Sequence, residues 1–167
     1  MRAGAELNKY QTGSLHSINV SAGGVPKKPV TGAQVSRLRV LGDAQNDTKH
    51  HGGAEQAVCL YSLERIRALQ EEGHPIDIGT AGENLTLTGI DWDLVVPGST
   101  LRVGNEVLLE VASFTNPCKT IKGSFIEGKF IRIAHKLHPG WSRVYARVLR
   151  EGQIHRGDRV ELAPPPR

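Results

Sequence analysis

Aromatic residues are scarce in this chain: Phe, Tyr and Trp make up 5% of its 167 residues. There is thus no stacking platform of the kind that holds single-stranded nucleic acid. Cysteine is nearly absent, with two in all, too few for a disulfide framework, and in a reducing compartment both stay thiols. No apolar run approaches the ~20 residues needed to cross a bilayer, and residues 1–10 lack the apolar stretch of a secretory signal. The expectation is a cytoplasmic protein with no membrane and no nucleic-acid partner. Asn46-Asp47-Thr48 and Asn84-Leu85-Thr86 are then unglycosylated, and Arg156-Gly157-Asp158 is a turn. The chain also lacks Gly-x-Ser-x-Gly, Gly-x-Gly-x-x-Gly, P-loop and His-Glu-x-x-His patterns, which removes support for hydrolase, dinucleotide-binding and zinc-protease chemistry.

Glycine and proline, in contrast, are plentiful: 19 and 9 residues, spread between short apolar runs. Many short strands broken by turns point to a mainly β fold, a sandwich or barrel with a few helices. The length suits one domain, 1–167, with a core over about 13–162 and a frayed tail at 163–167. Strands are expected over 13–20, 34–40, 57–61, 84–88, 100–103, 106–112, 143–150 and 159–162. Alternation is cleanest where Val107, Leu109 and Val111 share one face, and where Val144, Ala146 and Val148 do. One helix is expected after Ser62, carrying Leu63, Ile66 and Leu69 on one side and ending at Gly73. A second is expected over 127–137, where Phe130, Ile133, Ala134 and Leu137 recur at helical spacing.

The two cysteines stand in contrasting surroundings. Cys59 lies in the apolar run Ala57-Val58-Cys59-Leu60-Tyr61 and reads as a small core residue whose burial disfavours a thiolate. Cys118 follows Pro117 and precedes Lys119, with Lys122 close behind, and ammonium groups favour a thiolate there. Thiolates are soft ligands and good nucleophiles. On local grounds a functional Cys118 and a plain loop cysteine stand level. His50-His51-Gly52-Gly53 lacks zinc-site spacing, and a polar turn is its simplest reading. Gly23-Gly24-Val25-Pro26-Lys27-Lys28 suits an anion-binding loop, although loop lysines are usually only solvated. Within Gly82-Glu83-Asn84, Asn84 offers the donor–acceptor pair that reads a heterocycle edge, and Glu83 suits holding an arginine or shaping a turn. A net charge of +4 favours anionic ligands such as phosphates without naming one.

In order and spacing these segments resemble the MOSC family, named for the C-terminal domain of molybdenum cofactor sulfurases, and its standalone bacterial branch in particular. The carriers are Ser17-Ile18-Asn19-Val20-Ser21, Gly23-Gly24-Val25-Pro26-Lys27, Gly42-Asp43, His50-His51-Gly52-Gly53, Ala57-Val58-Cys59-Leu60-Tyr61, Gly79-Thr80-Ala81-Gly82-Glu83-Asn84-Leu85, Leu101-Arg102-Val103-Gly104 and Pro117-Cys118. The resemblance implies a β-barrel with small helices around it and a pocket near the Pro-Cys loop. It implies a molybdenum-pterin cofactor whose molybdenum is held by Cys118, the catalytic and metal-ligating residue. Lys27, His51, Gly53, Glu83 and Asn84 would line the pocket, with positive charge from Lys119, Lys122 or Arg143. Two positions differ from many relatives: no arginine precedes Pro117-Cys118, and Ala54-Glu55-Gln56 follows the paired glycines where a basic residue is common.

Three functions follow from the resemblance. One is an oxidoreductase reducing small N-hydroxylated substrates with an external electron donor. Another is a sulfur carrier or cofactor chaperone holding a persulfide on Cys118, charged by a partner cysteine desulfurase because no pyridoxal-phosphate domain fits in this length. The third is a barrel that keeps the fold without the cofactor.

Overall fold

The computed structural model describes residues 11–44 and 53–167. Among them are ten strands: β1 (Gln11–Val20), β2 (Lys28–Val30), β3 (Gly32–Val35), β4 (Val58–Ser62), β5 (Leu85–Thr88), β6 (Thr100–Val103), β7 (Val107–Phe114), β8 (Val144–Arg150), β9 (Gly152–His155) and β10 (Arg159–Ala163). The strand order β10-β6-β7-β8-β4-β5-β1 closes on itself through β1–β10, making a seven-strand barrel with β2 hydrogen-bonded to β1 outside the ring. β3 and β9 form a separate two-stranded ribbon. Closure removes the exposed sheet edges that would otherwise template association.

All barrel pairings are antiparallel except β4–β5, and a parallel pair needs a crossover. It is supplied by α1 (Leu63–Glu71). The Ser62 side chain accepts from Arg65 N at 3.2 Å, capping the helix, and Gly73 ends it at φ 99°. Leu63, Ile66 and Leu69 face inward as the sequence predicts.

Alternation decides the core. Val107, Leu109, Val111, Val144, Ala146 and Val148 are all buried, and Leu15, Ile18, Leu60, Leu85, Leu101 and Val160 complete the barrel interior. Each buried Val, Leu or Ile among them contributes about 1.5–3 kcal/mol.

Two expectations change. The strand expected over 34–40 is the shorter β3, because Ser36 closes a reverse turn: its N–H and its hydroxyl both donate to Arg39 O. Val35 then bridges back to Val40. The helix expected over 127–137 is absent. Instead, 3-10 turns run Lys119–Ser124, Ile126–Gly128 and Phe130–Ile133. Glu127 and Gly128 both take positive φ, at 54° and 68°, which halts any helix there. The apolar spacing still serves burial of Ile133, while Leu137 is exposed.

Candidate functional site

A cavity of about 270 Å³ lies against the outer wall of the barrel, over β4 and β8. Strand register places it there. Val58 and Leu60 pair with Ala146 and Val144 and point inside, so Cys59 and its partner Tyr145 point outward. One residue before β5, Asn84 lies on the same side as Thr86, opposite to the inward Leu85. The loop at Gly24–Lys27, the turn at Ala81–Gly82 and the segment Asn116–Ile121 enclose this patch.

Beneath the loops lies a buried hydrogen-bond network. Lys27 Nζ donates to Asp43 Oδ1 at 2.6 Å, and both residues are buried. Asp43 Oδ1 also accepts from Ser21 N at 2.9 Å, and Oδ2 accepts from Asn84 Nδ2 at 2.9 Å. Asn84 Oδ1 in turn accepts from Cys59 N at 3.0 Å, while Asn84 N donates to Cys59 O at 2.8 Å. Asn84 therefore shapes the wall with its amide already occupied, rather than holding out a free edge to a heterocycle. Likewise, the Lys27 ammonium reaches the cavity already neutralised by Asp43.

Gly79 explains the tight packing of the loops. At φ 82°, a Cβ there would stand 2.2 Å from Lys27 O. Only glycine allows this approach, and Lys27 N donates to Gly79 O at 2.9 Å across it.

The expected site residues divide as follows. Lys27, Asn84, Cys118 and Arg143 line the cavity together. Cys118 is partly exposed, on an extended backbone after Pro117, where it opens the 3-10 turn Lys119–Ser124. Arg143 is buried, with one guanidinium nitrogen donating to Ala81 O at 2.6 Å and Nε left without a partner. Among the described residues it forms no ion pair, although the buried Glu83 carboxyl lies within its electrostatic reach. Lys119 and Lys122 are exposed outside the lining, and Arg143 is the cation the fold brings in.

Glu83 lies behind the cavity rather than on its wall. Its Oε2 accepts from Gly79 N at 3.1 Å and from Thr86 Oγ1 at 3.2 Å, and Oε1 is buried without a partner. Complete burial pushes its carboxyl up to about 7, against the pull of these hydrogen bonds. Gly53 is exposed at φ 82° before the 3-10 turn Ala54–Gln56 and is not part of the lining. His51, with His50 and Gly52, lies outside the described residues.

Several lining residues escape the sequence reading, among them Ala44, Thr120, Ile121 and Tyr145, and two matter chemically. Gln56 contributes a buried Oε1 with no partner. Cys59 is buried, as its apolar run predicts, and burial pushes its thiol up. Its side chain nevertheless faces the cavity, not the barrel core. A continuous apolar run carries no sign of which neighbour faces a cavity, whereas β4–β8 register does. Burial also holds the proton on Tyr145, with the charges of Cys59 and then Cys118 adding to the effect.

The arrangement offers a partly exposed thiol, a buried guanidinium with an unpartnered Nε and an amide oxygen without a partner, on a wall of mixed apolar (Val25, Ala81, Ile121) and polar (Asn116, Thr120) side chains. It suits a small ligand that is polar on one edge and bonds a soft sulfur. Among the described residues there is no group of three or more His, Cys, Asp or Glu arranged to hold a metal by themselves. Among them, too, no helix is long and apolar enough to cross a membrane.

Comparison with known proteins agrees with this architecture. The uncharacterised protein YflK of Bacillus subtilis is 31% identical over 158 residues, 93% of this chain and 70% of its own length. A protein named Reductase from Gibberella moniliformis is 33% identical over 136 residues, but this chain spans only 24% of it. The crystal structure of YiiM from Geobacillus stearothermophilus superposes with a TM-score of 0.69 at 27% identity, over 90% of this chain and 75% of that one. YuaD from Bacillus subtilis shares the fold at a TM-score of 0.73 and 16% identity, over 95% and 99% of the two chains. The sequence profile of the MOSC domain matches residues 47–161, from before β4 into β10 and across Cys118 and Arg143, and the chain belongs to the MOSC domain family.

Proposed function

We propose that this MOSC protein binds a molybdenum-pterin cofactor through Cys118 and acts as a reductase of small N-hydroxylated compounds. The observation that carries the reading is the pairing, in one cavity, of the partly exposed Cys118 thiol with the buried, unpartnered Nε of Arg143. The residues fit such a group. The Cys118 thiolate is a soft ligand for the metal, Arg143 donates to an anionic or heterocyclic acceptor, and Gln56 Oε1 accepts from a ring N–H. When bound, the cofactor supplies a metal centre that passes electrons from an external donor to the substrate. The chain's own part is to hold, orient and exclude water: Val25, Ala81 and Ile121 dry the wall, and Asn84 fixes the strand that bears Cys59. The fungal relative's name supports the reductase reading.

Molybdenum content of protein made in a host that produces the cofactor tests the proposal. Wild type should carry molybdenum and Cys118→Ser should lose most of it. Reduction of an N-hydroxylated purine analogue with a chemical electron donor should fall in parallel. Molybdenum missing from wild type, or unchanged by the substitution, overturns the reading.

A sulfur-carrier reading is favoured by one feature: Lys27 is neutralised by Asp43, which lowers the positive charge available to a cofactor phosphate. Incubation with a cysteine desulfurase would then add one sulfur to Cys118, read by mass spectrometry, and an unmodified Cys118 would exclude it.

A further inference from the structure

Cys59 and Cys118 are the chain's two cysteines, both are free, and both line the same cavity. They are unequally held. Cys59 sits in mid-strand, with its N–H and its carbonyl both bonded to Asn84, and little of it reaches solvent. Cys118 sits in the loop after β7, at the mouth, and the 3-10 turn that follows engages its carbonyl through Ile121 N at 3.1 Å. A disulfide needs their Cα atoms within ~4.4–6.8 Å, so bond formation would require the Cys118 loop to close on the β4 wall of the cavity they share. Tyr145, opposite Cys59 in the β4–β8 ladder, lies within electrostatic reach of both sulfurs.

We propose that Cys59 is a resolving thiol for Cys118, and that the two form a dithiol site that closes into a disulfide when a small disulfide compound enters the cavity. The accessible Cys118 thiolate attacks the external disulfide, forming a mixed disulfide and releasing one small thiol. Cys59, shielded from solvent but facing the cavity, attacks Cys118 Sγ, and its proton passes to the departing sulfur, which leaves as the second small thiol. In sum, two protein thiols and one external disulfide become one protein disulfide and two small thiols. Closure takes the Cys118 sulfur away from any ligand, whether a metal or transferable sulfur.

Oxidised glutathione is the probe, with mass spectrometry and peptide mapping as the readout, on purified chain without added molybdenum or substrate. The cofactor reading can therefore fail while this one stands, and the reverse. Wild type should lose two hydrogens, retain no glutathione and yield a Cys59–Cys118 linked peptide pair. Cys59→Ser and Cys59→Ala should instead hold one glutathione on Cys118, and a reductant should reverse both products. The alanine variant guards against a folding defect peculiar to the hydroxyl. A wild type that keeps its glutathione as long as the Cys59 variants do, or in which neither thiol reacts, overturns the proposal.

Discussion

The buried Lys27–Asp43 pair sets the geometry of the cavity floor, and breaking it from one side has a calculable cost. In Asp43→Ala the Lys27 ammonium stays buried at 8% exposure with its 2.6 Å partner gone. Removing one member of a buried pair costs about 3–5 kcal/mol, because the remaining charge is desolvated and uncompensated. Ser21 N loses its acceptor at the same time, and Asn84 Nδ2 keeps only the longer bond to Asn19 O at 3.4 Å. For a domain of this size each kcal/mol lowers Tm by about 2–4 °C, so the fall should be roughly 6–20 °C. Lys27→Met should cost less, about 1–3 kcal/mol, because Asp43 keeps both other donors. The double variant should recover part of the loss of Asp43→Ala, since no unpaired charge remains. Urea denaturation of the four proteins gives the coupling directly. A loss under about 1 kcal/mol in Asp43→Ala, or strict additivity in the cycle, would refute the view that this pair is a desolvated unit.

Glu83 makes stability pH-dependent. Its folded pKa, about 7, lies above the ordinary 4.5, so the folded chain keeps a proton that the unfolded chain releases. Its contribution is complete below pH 4.5 and declines as pH rises through 7, by up to about 3 kcal/mol. Glu83→Gln should flatten that part of the pH–stability curve, and an unchanged slope would assign the dependence elsewhere. Gly79→Ala combines a positive φ with a Cβ 2.2 Å from Lys27 O, and should cost at least about 2 kcal/mol while displacing the lysine loop. Thermal melting checks it, and a loss under 1 kcal/mol would contradict the close approach.

Much of the fold could be read from the sequence, because period-two alternation is a local signal tied to a sheet with one buried face. β6 falls on its expected range, β1, β7, β8 and β10 lie close to theirs, and Ser62 caps α1 as its position before Leu63 and Ile66 implies. The signal fails where a side chain or backbone angle intervenes. Ser36 closes a turn inside an alternating segment, Gln34 to Val40, and positive φ at Glu127 and Gly128 breaks a helical spacing that serves 3-10 turns equally well.

Sequence by itself determined most of the barrel strands and α1, the family resemblance and Cys118 as the prominent thiol, since each rests on residues close together or in a fixed order. Tertiary structure decided the rest of the site. Barrel closure and β4–β8 register turned Cys59 toward the cavity. Packing of the Gly79 turn on the lysine loop buried Lys27 against Asp43 and placed Glu83 behind the wall. The lining cation without an ion-pair partner among the described residues is Arg143, just before β8, while Lys119, next to Cys118, is exposed. Proximity in sequence constrains the backbone, but charge and reactivity depend on which groups share a desolvated space, and only the folded chain fixes that.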